Sequence, residues 1–217
     1  MVYLDNAATT RPCAEAVNAA SEAMTDNFGN PSSLHRAGLN AQLAVDCARK
    51  AVADSIGVDS SAIYFTSGAT ESNNLALRGI SAAYGKKCRK IVISSVEHAS
   101  VDETASDLEK NGFEIVRVSP DEEGRFRAAD FVNACDENTC MISMMLVNNE
   151  TGYILPVKEV FSAVKRRFPH IITHCDCVQG YMKVPVKANA MSADLISLSG
   201  HKIHASKGIG ILYIKRS

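Results

Sequence analysis

Short apolar runs alternate along this chain with longer stretches in which apolar residues return every three or four positions. The runs are Ile63-Tyr64-Phe65, Lys90 to Ser94, Glu114 to Val118, Cys140 to Val147, Ile171 to His174, Leu195 to Leu198 and Ile209 to Ile214. Each has the length and composition of a strand, which makes seven candidates. Helix-length segments separate most of them: Thr70 to Tyr84, Val101 to Asn111, Ala128 to Cys135 and Val157 to Arg167. Strands alternating with helices predict an α/β fold, a mostly parallel sheet with helices on both faces. The last two runs depart from the rule. Only about ten residues separate Leu198 from Ile209, too few for a crossover helix, so the final strand is expected to be antiparallel. Upstream of the first strand, residues 13–26 and 37–56 carry helical spacing (Ala37, Ala41, Ala44, Val45, Ala48, Val52), with Gly57 as the stop. No repeat, low-complexity tract or linker divides the chain, so one large domain is expected.

Composition removes classes of partner rather than naming one. With 217 residues, 46% of them hydrophobic and 22% charged, the chain can bury a sizeable core. A formal net charge of -1 and the lack of any long basic block give no electrostatic reason for nucleic acid or an anionic membrane surface as partner. No apolar run approaches the ~20 residues of a membrane span. The N-terminus Met1-Val2-Tyr3-Leu4-Asp5 lacks the basic and apolar regions of a signal peptide, so a cytoplasmic location is expected. Seven cysteines, an odd number scattered through helical and strand patterns, suit free thiols better than a disulfide framework.

Candidate chemistry gathers where strands end. Ala193 to Lys202 reads as a buried strand that delivers Lys202 into the crevice where open α/β sheets bind ligands, with Ser199 and His201 beside it. Desolvation there lowers a lysine's pKa and frees its amine for a Schiff base. Asp176, at the end of the preceding run, is a carboxylate able to pair with a protonated pyridine nitrogen. Together the two point to pyridoxal phosphate. Thr66-Ser67-Gly68-Ala69-Thr70-Glu71-Ser72-Asn73-Asn74 follows the first strand and opens a helix, a phosphate cup that has neither the Walker nor the GxGxxG pattern. His98 lies at the next strand-to-helix junction, placed to lie against an aromatic cofactor or exchange protons with it, or to serve as a helix cap. Val147 to Gly152 ends the fourth strand with two amides and an acid, groups suited to ligand hydrogen bonds or to turn chemistry. Gln179 follows Asp176 closely enough to face the same ligand. Parallel strands bring all these ends to one edge.

A metal site at His174-Cys175-Asp176-Cys177 is disfavoured. On a strand the two cysteines point to one face and His174 with Asp176 to the other, and no CxxC pair completes a zinc site.

These segments resemble the cysteine desulfurases of the class V aminotransferase group, which have the type I pyridoxal-phosphate fold. The likeness runs through Tyr3 to Thr10, Asn30 to His35, Thr66 to Asn74, Val96-Glu97-His98, Val147 to Gly152, His174 to Gln179 and Ser199 to Lys202, nearly the whole chain. The resemblance implies that Lys202 carries the cofactor as a Schiff base and moves the substrate α-proton, and that Asp176 keeps the pyridine nitrogen protonated. It implies that His98 stacks on the ring and shares in proton transfer. Asn149 and Gln179 are implied to contact the substrate side or the ring hydroxyl, and Ala69, Thr70, Ser199 and His201 to bind the phosphate. L-cysteine is the implied substrate, giving alanine and an enzyme persulfide passed to a sulfur acceptor or scaffold protein, in a homodimer.

Two departures accompany the likeness. Ala205-Ser206 stand where the family usually has Gly-Pro, and only 15 residues follow Lys202. The expected organisation is therefore an N-terminal arm at 1–14 and a cofactor-binding large domain at 15–217. The small C-terminal domain, the loop bearing the persulfide cysteine and the arginine for the substrate carboxylate have no matching stretch. The expected function is a desulfurase, cut from a longer chain or made as half of a split enzyme that needs its C-terminal half. The alternatives are another class V activity, such as selenocysteine lyase or aminotransferase, and a non-catalytic cofactor-binding or dimerisation remnant.

Overall fold

A computed structural model describes residues 2–216 as a seven-stranded sheet clothed by helices on both faces. The chain enters through an extended arm, then α1 (Ala14–Thr25) and α2 (Arg36–Ile56). Gly57 ends α2 in the left-handed conformation, φ 72°, a backbone state for which glycine carries no Cβ penalty. There follow β1 (Ile63–Thr66), α3 (Ala69–Tyr84), β2 (Lys90–Ser94), α4 (Ala99–Lys110), β3 (Glu114–Val118) and α5 (Ala128–Ala134). The last elements are β4 (Thr139–Met145), α6 (Val157–Arg167), β5 (Ile172–Asp176), β6 (Leu195–Ser199) and β7 (Gly210–Ile214). Every strand and helix expected from the periodicity is present, with ends displaced by one or two residues.

The strand order is β1-β7-β6-β5-β4-β2-β3. Pairs from β6 through β3 are parallel, whereas β7 is antiparallel to both its neighbours, β6 and β1. Because β7 reverses twice, β1 runs in the same direction as the five parallel strands. The C-terminal ends of β1, β2, β4, β5 and β6 therefore share one edge.

Alternation along the strands divides the core in two. Ile91, Ile93 and Met141 pack on one face with Leu77 of α3 and with Val101, Ala105 and Leu108 of α4. Val92, Ile142, Met144 and Ile196 pack on the other with Ile56 of α2, Phe131 of α5 and Val160, Phe161 and Val164 of α6. Strands covered on both faces lose all polar alternation, which is why β2, β4 and β6 are buried at every position. By contrast α1 buries none of its residues, and Val17, Met24, Phe28 and Leu34 are exposed. Among the described residues no helix is long and apolar enough to cross a membrane.

Candidate active site

The cup after β1 is built by close backbone approach. Gly210 of β7 pairs with Thr66, and a Cβ on Gly210 would stand 2.4 Å from the Gly68 carbonyl carbon. Only glycine lets the Gly68 loop settle against β7. Gly68 caps α3 with no side-chain bond to the helix's first N–H groups, and open space surrounds the place its own Cβ would take. Ser67 folds back on Glu71, whose Oε2 accepts from Ser67 N at 2.6 Å and from Ser67 Oγ at 2.7 Å. The loop is thus braced from its outer side while the helix N-terminus, with its partial positive charge, faces the cavity.

Asp176 ends β5 and is 5% exposed. Burial raises its pKa, against the opposing pull of the Val178 backbone N–H, the Asn73 amide and the charge of Lys202. Oδ1 accepts from Val178 N at 2.9 Å and Oδ2 from Asn73 Nδ2 at 2.8 Å. Among the described residues no ion pair reaches this carboxylate, so a buried acid faces the cavity without a cation. His174, two residues earlier, lies fully buried between Ser143 Oγ (2.8 Å) and Ser197 Oγ (3.0 Å), and burial holds its pKa down at about 3. Cys175 and Cys177 turn away from the acid and bring their sulfurs within 3.4 Å of each other.

Lys202 sits on a single 3-10 turn, Gly200–Lys202, that continues β6. It is half-buried, and desolvation first, then the charge of Lys183, lowers its pKa against Asp5 and Asp176. Nζ donates to the carbonyls of Ala7 (2.5 Å) and Ala8 (2.8 Å) in the N-terminal arm. The arm is fastened to the same turn: Thr10 N and Oγ1 donate to the His201 carbonyl at 2.8 and 2.9 Å, and Cys13 N donates to the His204 carbonyl at 2.9 Å. His204 takes the left-handed conformation, φ 61°, with its N–H held by Thr10 Oγ1 at 2.7 Å. Gln179 joins the contact, donating to the Ala7 carbonyl at 2.8 Å and accepting from Lys183 at 3.2 Å. His201 is held below its ordinary pKa by burial and then by Lys202 and Lys207. Its Nδ1 lies 3.1 Å from Thr9 Oγ1.

His98 serves as the N-cap of α4: Nδ1 accepts from Ser100 N at 3.1 Å and lies 2.9 Å from Ser100 Oγ. Cap and cavity roles coexist, because Nδ1 faces the helix and the ring also lines the cavity. The two amides after β4 divide similarly. Asn148 shapes the turn, its Oδ1 accepting from Glu150 N, Thr151 N and Thr151 Oγ1 at 2.9 to 3.0 Å, while Asn149 lines the cavity.

A cavity of about 600 Å³ joins these parts. Ala69, Thr70, His98, Asn149, Asp176, Gln179, Ser199, His201 and Lys202 all line it, so every residue expected from the sequence is brought to one place. Asp5, Ala7 and Ala8 close one side. The donor set fits pyridoxal phosphate. An acid without a cation shares the cavity with a half-buried amine, and a helix start stands ready for an anion. Its volume is within the range of small-ligand sites.

Sequence reasoning missed Asn73, Glu97, Ser100 and the arm's carbonyls. Ser72 and Asn73 fall on the same helical stripe as Ala76, Leu77 and Ile80, and polar residues at core-facing positions were the available signal. Nothing local marked the arm, since its partners lie almost two hundred residues away.

A family profile, Aminotransferase class-V, matches residues 2–217, and the chain belongs to that family. Members of the family and its cysteine desulfurase branch are pyridoxal-phosphate enzymes. Among curated relatives, the NifS/IcsS protein homolog of Lactobacillus delbrueckii subsp. bulgaricus is 44% identical over 217 residues, all of this chain and 56% of that protein. Cysteine desulfurase IscS of Methanosarcina thermophila is 42% identical over 215 residues, 99% of this chain and 53% of that protein. The solved structure of a NifS-like protein superposes with TM-score 0.96 at 37% identity, covering 100% of this chain and 59% of its own. SspA in complex with cysteine gives TM-score 0.94 at 34% identity, covering 99% and 61%. The chain thus spans about half the length of the curated relatives it matches.

Proposed function

We propose that this chain is the cofactor-binding part of a cysteine desulfurase acting on L-cysteine, with residues 1–14 as its arm and 15–217 as its large domain. The observation that carries the reading is that buried Asp176, half-buried Lys202 and the bare N-terminus of α3 line one cavity. Lys202 holds the cofactor covalently and moves the proton at the substrate α-carbon, a task suited to an amine whose pKa is already lowered. Asp176 would hold the ring nitrogen of the bound cofactor, which would supply the cation its burial lacks. Ala69, Thr70, Ser199 and His201 would hold the phosphate, His98 would hold the ring, and Asn149 and Gln179 would serve the ring hydroxyl and the substrate. The bound cofactor supplies an electron sink for the substrate α-carbon. The arm shields Lys202 from water at Ala7 and Ala8.

Among the described residues no cysteine lines the cavity, and Cys135, Cys140, Cys175 and Cys177 are buried. We place the protein in the cytoplasm and its working form as a homodimer. The test is borohydride reduction of chain incubated with pyridoxal phosphate, followed by peptide mass mapping. A phosphopyridoxyl group on the Lys202 peptide, absent from Lys202→Ala, is the expected result. A wild-type chain that takes up no cofactor would overturn the reading. Alanine release from L-cysteine, with and without a candidate C-terminal chain, tests the turnover.

A further inference from the structure

Asn73 is fully buried, and the two hydrogens on its amide nitrogen have two acceptors: Asp176 Oδ2 at 2.8 Å and Ser100 Oγ at 2.9 Å. The nitrogen faces the carboxylate, donating to Oδ2 while the Val178 N–H donates to Oδ1. That orientation leaves Asn73 Oδ1 buried with no partner. An orphaned carbonyl in the core is unfavourable, and it persists here beside two directed donations. Beyond Asn73 the directions are also determined. The Ser100 backbone N–H can only donate, so His98 Nδ1, which it meets at 3.1 Å, carries no hydrogen. Ser100 Oγ lies 2.9 Å from the same nitrogen and already receives the Asn73 N–H, so it turns its own hydrogen to Nδ1.

We propose that Asn73 is a positioning residue linking the acid of the cavity to its histidine: it donates to Asp176 and, through Ser100, holds the His98 ring with Nδ1 as acceptor and its hydrogen on Nε2. The meaning of Asp176 and His98 rests on the cofactor reading above, but the relay consists of this chain's own side chains. It gives His98 one defined tautomer, so that the nitrogen not engaged by α4 is the one bearing a hydrogen.

The test uses the full chain without cofactor, labelled with 15N-histidine, and two-bond proton–nitrogen spectra in mildly alkaline buffer. His98→Gln assigns the His98 signals among the six histidines. Wild type is expected to show His98 as the Nε2–H tautomer, with Nδ1 shifted as a hydrogen-bonded acceptor. In Asn73→Ala and in Ser100→Ala, Nδ1 should move toward the shift of a free acceptor, while buried His174 stays where it was. An Nδ1–H tautomer in wild type, or unchanged His98 signals in either variant, overturns the proposal. So does a shift of His174 together with His98, because Asn73 would then be only a packing residue. A second readout is cofactor affinity, expected to fall about tenfold or more in Asn73→Ala through the lost bond to a charged group. If wild type binds no cofactor, the functional reading fails while the tautomer result still decides the relay.

Discussion

Replacing Glu97 by glutamine should change how stability depends on pH. The Glu97 carboxyl accepts from Ser94 Oγ and, at 2.8 Å, from Met145 N through Oε1, but Oε2 is buried with no partner. Burial raises its pKa from 4.5 to about 8, against those two hydrogen bonds and with help from the charges of Asp176 and Asp102. The folded chain therefore keeps a proton that the unfolded chain releases. The contribution is fully present below pH 4.5 and is lost as pH rises to about 8. At about 1.4 kcal/mol per unit the shift sets a ceiling of about 5 kcal/mol, and contact of the rest of the side chain with water reduces the expected change to about 2–4 kcal/mol. Glutamine keeps the Oε1 acceptor, cannot ionise, and imitates the protonated acid. Urea unfolding from about pH 5 to about pH 9 should show wild type losing stability relative to Glu97→Gln by that amount. Taking the difference between the two proteins cancels the other titrating groups to first order. Parallel curves for the two would refute the reasoning and mean that Glu97 is ionised in the folded chain throughout.

His174 works in the opposite direction. Its pKa falls from 6.5 to about 3 through burial, so its stabilising contribution is present above pH 6.5 and disappears as pH falls toward 3. His174→Gln should flatten that acid limb in urea unfolding followed from about pH 7 down to about pH 3. Asp176→Asn should separate stability from binding. Removing a buried acid without a cation offsets the loss of one of its two accepted hydrogen bonds, so the unfolding free energy changes by no more than about 1 kcal/mol in either direction, while cofactor affinity measured by absorbance titration falls at least about tenfold. Gly210→Ala should lower stability by about 1–3 kcal/mol and weaken cofactor binding, since the new Cβ forces the Gly68 loop away. Gly79→Ala, in α3 with open space around its Cβ, is the control and should stabilise by about 0.5–1 kcal/mol in thermal unfolding.

Much of the architecture is legible in the chain because periodicity is a local property. Alternating apolar runs and helical stripes mark all seven strands and six helices, and the ten-residue gap before β7 identifies the strand that reverses. Polar residues at strand ends locate the site, since parallel strands carry their ends to one edge. Asp176 and Lys202 could be read this way because each closes an apolar run.

The rest depends on distance along the chain. Asn73 reaches Asp176 across 103 residues, and Lys202 reaches Ala7 across 195. A side chain's alternatives at one position, helix cap or ligand for His98, turn or cavity for Asn148 and Asn149, are decided by what packs opposite. Burial, and with it the raised acids at Asp176 and Glu97, exists only after the sheet has closed. The chain by itself determined its elements, their order and the residue types available for chemistry, because backbone propensity and periodicity act over a few neighbours. Tertiary structure alone decided which of those groups are desolvated, which are paired and which face the cavity, because the charge state and orientation of a side chain depend on groups brought together from remote segments.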